Sequence, residues 1–205
     1  MELRRYLCQK EYDRKVLQAA RQELLYLEKL ETIYQGAGPR EACDTIYENM
    51  QKERKALITP VRCTDEEYRK QWENAAYKKK EIGKDAPELF TNKGEQVRSK
   101  SEILIANALE KHDIPYRYEA PLMLKGYGLI HPDFTVLNVK LRKEFYLEHL
   151  GLMDDEEYRE NALRRVLAYE RAGIFPGEQL ILTHETGKCP LDVRIVEKLI
   201  THYLT

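Results

Sequence analysis

No apolar run in this chain approaches the roughly 18 residues that a bilayer-spanning helix needs. The opening Met1-Glu-Leu-Arg-Arg-Tyr6 has no apolar stretch of the kind that forms a secretory signal. Cysteine is sparse and dispersed: Cys8, Cys43, Cys63 and Cys189 make no metal-ligand spacing. These absences set the expectation of a cytoplasmic protein without membrane contact, its thiols free in a reducing compartment. A field of one sign is missing too. Lys and Arg number 34 against 35 Asp and Glu, a net charge of −1, so net charge cannot steer the chain toward nucleic acid. Any such contact has to come from local patches. At 205 residues, 42% apolar and 34% charged, the chain has room for one large domain or a core with an appendage.

The first 35 residues contain neither proline nor glycine. Leu17, Ala20, Leu24, Leu27 and Tyr34 recur at helical spacings, which predicts one long helix with a single apolar stripe. Gly36-Ala-Gly-Pro39 stops it. Cys43, Ile46, Met50 and Leu57 then suggest a second helix ending before Pro60. The pair reads as an αα-hairpin, a packing element or the seam of a homodimer. Thr64-Asp-Glu-Glu67 has the capping-box pattern and opens a third helix carrying Tyr68, Trp72, Ala75, Ala76 and Tyr77.

After it the chain turns basic, with Lys78, Lys79, Lys80, Lys84, Lys93, Arg98 and Lys100. Such a run is usually a solvated face. Beside an acidic site it also suits contacts to phosphates, which release counterions. Loop-like Asp85-Ala-Pro-Glu88 and Thr91-Asn-Lys-Gly94 divide a helical region, 1–90, from a core, 91–205.

The core has a readable order. A helix begins at Ser99 or Ser101 and ends near His112-Asp113. Residues 116–124 alternate as a strand, 129–137 form the next and 144–150 a third. A helix follows from Asp154 to Gly173, then a strand over 178–183 and a final helix from Pro190. That last helix is expected to bury Val193, Ile195, Val196, Leu199, Ile200 and Tyr203. The expectation is a mixed α/β fold, α-β-β-β-α-β with a C-terminal helix.

Three acids punctuate this order. Glu102 lies in the first turn of the helix, where it could serve the dipole or pair with Arg98. Asp133 follows Pro132 and could cap a turn. Glu148 interrupts the apolar run Phe145-Tyr146-Leu147, where a charge is costly unless it is paired or binds a cation. Acids on adjacent strands, with a third on the preceding helix, make a plausible oxygen cage for Mg²⁺ or Mn²⁺.

Glu102, Pro132-Asp133 and Glu148-His149-Leu-Gly151 on those elements resemble the PD-(D/E)XK nuclease superfamily, in its bacterial and phage members with Glu-His-x-Gly on the third strand. The resemblance covers roughly residues 95 to 204. It implies a restriction-endonuclease-like core, phosphodiester hydrolysis with DNA favoured over RNA, and Mg²⁺ or Mn²⁺ held by Asp133, Glu148, Glu102 and the His149 backbone carbonyl. The superfamily's lysine, two residues after the strand acid, is replaced by Leu150, which shares Glu148's strand face. Migration of that group to the following helix makes Arg165 the expected catalytic cation, with Arg164 second. An arginine cannot serve as a base but can stabilise charge on a phosphate. The alternative is a nuclease-like module without catalysis, binding nucleic acid or a partner through its helical arm. His131 and His149 flank the acids and read as supporting partners or incidental surface histidines; His184 and Glu185, after the fourth strand, read equally as a hydrogen-bonded turn or a substrate contact, and Tyr158 and Tyr169 as core packing.

Overall fold

The computed structural model describes residues 2–35, 46–47, 49–55, 57–60, 62–80, 83 and 87–205. The chain divides into two compact units, Met1–Thr64 and Asp65–Thr205.

In the first unit, α1 (Glu2–Gln35) is one unbroken helix. Local pairs support it, including Arg14 with Glu11 at 2.8 Å and Gln9 with Asp13 at 2.8 Å. Its described apolar side chains are exposed; Leu17, Leu24 and Leu27 each keep half or more of their surface. A short helix, α2 (Lys52–Lys55), follows. The expected second hairpin helix is not continuous: Met50 falls in a bend and Leu57 in a turn on either side of α2, while Cys43, like Lys84, lies outside the described residues.

The second unit begins with α3 (Asp65–Asn74). Although sequence groups this helix with the N-terminal region, its anchors are in the core unit. Trp72 Nε1 donates to Glu144 Oε1 at 2.6 Å, and the Arg117 guanidinium lies 4.1 Å from the Trp72 ring centroid. Arg69 grips Asp113 with two hydrogen bonds of 2.6 and 2.8 Å. The helix stops at Asn74, short of Ala75, Ala76 and Tyr77; Tyr77 instead donates its hydroxyl to the Tyr118 carbonyl at 3.3 Å.

A small hairpin, β1 (Leu89–Phe90) and β2 (Gln96–Val97), occupies a stretch that sequence reads as loop. Two-residue strands are too short to leave an alternation. Helix α4 (Lys100–Lys111) starts at Ser99, whose side chain accepts the Glu102 N–H at 3.1 Å. Ser101 is therefore inside the helix.

Each of the next two expected strands is broken in two. β3 (Tyr116–Tyr118) and β4 (Leu122–Leu124) are separated by Glu119, at a φ of 45°, and Pro121. β5 (Gly128–Ile130) and β6 (Phe134–Asn138) are separated by His131-Pro132-Asp133. A proline has no N–H for the ladder, so the ribbon breaks on both strands at one level. β4 and β5 continue as a separate hairpin closed through Gly126 and Gly128, both at positive φ.

β6 pairs antiparallel with β3 and with β7 (Lys143–Leu150). β7 pairs parallel with β8 (Leu180–His184), which requires a crossover, and α5 (Glu156–Arg171) supplies it. Helix α6 (Val193–Leu204) closes the chain. The main sheet thus runs β3-β6-β7-β8, a mixed sheet in a mixed α/β unit.

Two apolar clusters cover the sheet's faces. Phe134, Val136, Phe145 and Leu147 pack with Ile105 and Leu109 of α4 and with Val196 and Ile200 of α6. Tyr146 and Leu180 pack with Ala168 and Tyr169 of α5 and with Leu124 and Ile130 of the hairpin. In α6 the buried row is Val196, Ile200 and Leu204, while Ile195 is half exposed, so the stripe is narrower than its sequence suggests. No helix among the described residues is long and apolar enough to cross a membrane.

Candidate active site

Strand alternation places the acids. Along β7, Phe145 and Leu147 face α4 and α6, so Tyr146 and Glu148 face α5. Phe134 is paired with Leu147. One step further in that register sets Asp133 beside Glu148, on the same face. Both line a cleft of about 150 Å³ with His149, Leu150, Tyr158, Asn161, Ala162 and Arg165.

Each acid is fixed at one oxygen. Asp133 Oδ2 accepts the His149 N–H at 2.7 Å. Glu148 Oε1 accepts from the Tyr169 hydroxyl at 2.5 Å and lies 2.7 Å from Arg165 Nη2. Arg165 comes from the third turn of α5, and the same nitrogen also donates to the His131 carbonyl. Ala162, one turn earlier, is too small to obstruct it. Tyr158 accepts the Gly151 N–H at 3.1 Å and points its own hydroxyl at the His149 carbonyl, 3.5 Å away. Tyr169 packs in the core as expected, and both it and Tyr158 also supply hydrogen bonds in the cleft. Their eleven-residue spacing gives one helical face but not the strand end that this face meets.

Burial drives the acids' protonation. It pushes the Asp133 carboxyl well above its ordinary range, and the nearby charges of Glu148 and Glu102 push the same way, against the His149 N–H and Arg165. Burial also raises Glu148, opposed by Arg165 and Tyr169. Two carboxylates facing one guanidinium leave the cleft short of positive charge.

Glu102 is near enough to influence Asp133, but its Oε2 accepts from the Arg98 N–H at 2.8 Å and from the Tyr118 hydroxyl at 2.7 Å. It ties the start of α4 to β3. Among the described residues no three His, Cys, Asp or Glu side chains are gathered as a metal-holding group. Asp133 Oδ1 and Glu148 Oε2 have no hydrogen-bond partner among the described residues, and the His149 carbonyl has only the long contact to Tyr158. That donor set fits a hard cation such as Mg²⁺, which takes one or two carboxylates and retains several waters. It does not fit a cation caged wholly by protein.

The basic residues are less gathered. Arg98 is committed to buried Glu119 at 2.8 Å, and Lys79 to Glu95. Lys93 stands over the Tyr116 ring, 5.2 Å from its centroid. Lys78, Lys80 and Lys100 are exposed. Arg164, the second candidate cation, is exposed and pairs with Glu160 at 3.6 Å.

Comparison with known proteins adds little. No family model matches the chain. A protein of Methanocaldococcus jannaschii described as "Uncharacterized protein MJ1519" is 38% identical over 72 residues. That stretch is 35% of this chain and 6% of the archaeal protein.

Behind the cleft, on the opposite face of β7, lies a polar network. His149 Nδ1 is 3.0 Å from Thr183 Oγ1, and its Nε2 is 3.2 Å from Glu185 Oε1, off the line of a full hydrogen bond. Glu185 Oε1 also accepts from the Ser101 hydroxyl at 2.8 Å, and Oε2 from the Leu191 N–H at 3.1 Å. Burial raises Glu185, but the hydrogen bonds from Ser101, His149 and Leu191 outweigh it and hold the carboxyl below its ordinary range. Ser101, His149 and Thr183 are all buried.

Proposed function

We propose that the cleft is the active centre of a metal-dependent nuclease with a restriction-endonuclease-like core, hydrolysing phosphodiester bonds with DNA the favoured substrate. The observation that carries this reading is the placement of Arg165. Its guanidinium reaches Glu148 Oε1 at 2.7 Å from the helix after the strand, so a cation stands at the acids although position 150 is leucine. The helix, broken ribbon, strand, crossover helix and strand order supports it, as do two buried acids of raised pKa.

Mg²⁺ or Mn²⁺, when bound, would lower the pKa of a water and neutralise charge on the phosphate. Asp133, Glu148 and the His149 carbonyl would hold the cation. The His149 N–H fixes the Asp133 carboxylate, and Tyr169 fixes Glu148. Arg165, always protonated, offers its guanidinium to the phosphate's developing charge and cannot take a proton. Glu102 holds the α4 start in place through Arg98 and Tyr118. Lys78, Lys80, Lys93 and Lys100 are proposed contacts to the nucleic-acid backbone, and α1, with its exposed apolar residues, a proposed homodimer seam.

A second reading rests on the same ion pair. Glu148 already has Arg165 and Tyr169 as partners, so the cleft is partly self-neutralised, as a non-catalytic binding module would be. Calorimetry separates the two. Mn²⁺ should bind the wild-type protein, with binding lost in Asp133→Ala and sharply weakened in Glu148→Ala. No binding at millimolar Mn²⁺, with nucleic acid present, would leave only the module.

A further inference from the structure

We infer that Glu185 is a positioning residue for the cleft: together with Ser101 and Thr183 it locks the His149 imidazole, and so fixes the His149 peptide groups that frame the acids. The inference rests on the reading of the cleft as a cation site.

The peptide groups of His149 matter more to the cleft than its side chain does. Its N–H holds Asp133 Oδ2 at 2.7 Å, and its carbonyl faces the Tyr158 hydroxyl. Small rotations of this residue would swing the acid and the carbonyl together. Main-chain pairing gives limited restraint here, because the His149–Thr183 pair is one from the end of the β7–β8 ladder. The imidazole is the lever that can hold the residue. It is buried between Thr183 on one nitrogen and Glu185 on the other, 3.0 and 3.2 Å away. Glu185 is itself fixed from two directions, by Ser101 of α4 and by the Leu191 N–H.

Three elements of different sequence position therefore converge on one ring. Gly151 packs beside the pair: a Cβ there would be in ordinary contact, 3.4 Å from His149 Nε2 and 3.6 Å from Glu185 Oε1. A buried polar circuit of this kind costs desolvation that an apolar core would avoid. Its return is a defined ring orientation. The Thr183 hydroxyl also faces the Glu148 carbonyl at 3.5 Å; a carboxylate opposite Nε2 would favour the tautomer with the proton on Nε2, turning that hydroxyl toward Nδ1. Outer partners of this type change cation affinity by roughly 10–100-fold when removed.

The test compares wild type, Glu185→Ala, Glu185→Gln and Thr183→Val by ¹⁵N NMR and by Mn²⁺ binding. In wild type the His149 ring should show a protonated Nε2 and a bare Nδ1, and its amide should be shifted downfield and protected from exchange by Asp133. Glu185→Ala should lose the single tautomer, weaken the amide's protection and lower Mn²⁺ affinity about tenfold or more. Glu185→Gln, which keeps the volume and one acceptor oxygen, should show all three losses in weaker form. A folded Glu185→Ala or Glu185→Gln variant with wild-type His149 amide and ring signals would overturn the inference. Wild type that binds no Mn²⁺ would sink the cation reading instead, and the His149 amide would still decide the positioning role.

Discussion

The two faces of β7 carry neighbouring residues under opposite electrostatic conditions. On one face Glu148 and Asp133 share a small cleft with a single guanidinium, and both carboxyls are pushed up by burial. On the other, His149 sits in a circuit with Thr183, Glu185 and Ser101, and Glu185 is pushed down by the hydrogen bonds it accepts. The first face is unfinished and the second is closed. Folding tolerates the unfinished face because Arg165 and Tyr169 offset part of its cost, and the proposed cation would offset the rest. The closed face spends its polar groups on geometry.

The largest expected effect is on the unfinished face. Asp133→Ala should reduce nuclease turnover by roughly 10³-fold, the order expected for loss of several kcal/mol of cation-derived stabilisation. A turnover assay on one oligonucleotide reads it. Retained activity would mean that the cleft's charge deficit has no catalytic use.

Arg165→Ala comes next. Turnover should fall about 10²–10³-fold, with Arg165→Lys recovering part of it, because an ammonium brings charge without the planar fork. Stability should fall by about 1–3 kcal/mol in chemical denaturation, less than for a fully buried pair because Arg165 is one-third exposed. Unchanged turnover in Arg165→Ala would remove the residue from the mechanism.

Of these features, the acids were the most legible in sequence. Glu148 interrupts an apolar strand, and Pro132 marks Asp133, so alternation and order suffice to bring them to one face. Arg165 was legible as the border of a helical stripe. The breaks in the ribbon at Pro121 and Pro132 were not legible, because the alternation across them reads as continuous. What pattern could not carry is distance across the fold. Ser101, His149, Thr183 and Glu185 come from three elements, and no periodicity links a serine in a helix to a glutamate 84 residues later. The same holds for α3, whose capping box fixes where it starts but whose Trp72 finds Glu144 only in three dimensions.

The two faces of β7 part further with pH. Asp133 and Glu148 have raised carboxyl pKa values in the folded state, so the folded protein binds their protons more tightly than the unfolded chain does. Their contribution to stability is therefore present at acid pH and lost as pH rises through the raised values. Metal-free protein should lose this stabilisation as pH rises from the ordinary carboxylate range through the raised values, and Asp133→Asn should flatten that slope while keeping an acceptor for the His149 N–H. Mn²⁺ should raise the melting temperature more at neutral pH than at pH 5, where protons compete. A metal-free slope unaltered by Asp133→Asn would show that this carboxyl is not the strained one.

Single hydroxyls give the smallest effects, and they should differ between the faces. Tyr169→Phe removes a hydrogen bond to a buried carboxylate and should cost about 1.5–3 kcal/mol, whereas Thr183→Val removes a neutral one and should cost about 1 kcal/mol. Denaturation of the two variants side by side reads the difference, and equal costs would erase the distinction between an unfinished and a closed face.

The central claim is most directly tested by cleavage itself. Purified protein and its Asp133→Asn variant are incubated with single- and double-stranded DNA and RNA, with Mg²⁺, with Mn²⁺ or with a chelator. Cleavage of at least one substrate by wild type with either cation, abolished by chelator and by Asp133→Asn, is the predicted result. Intact substrates in every wild-type reaction, or cleavage that persists in chelator, would contradict it.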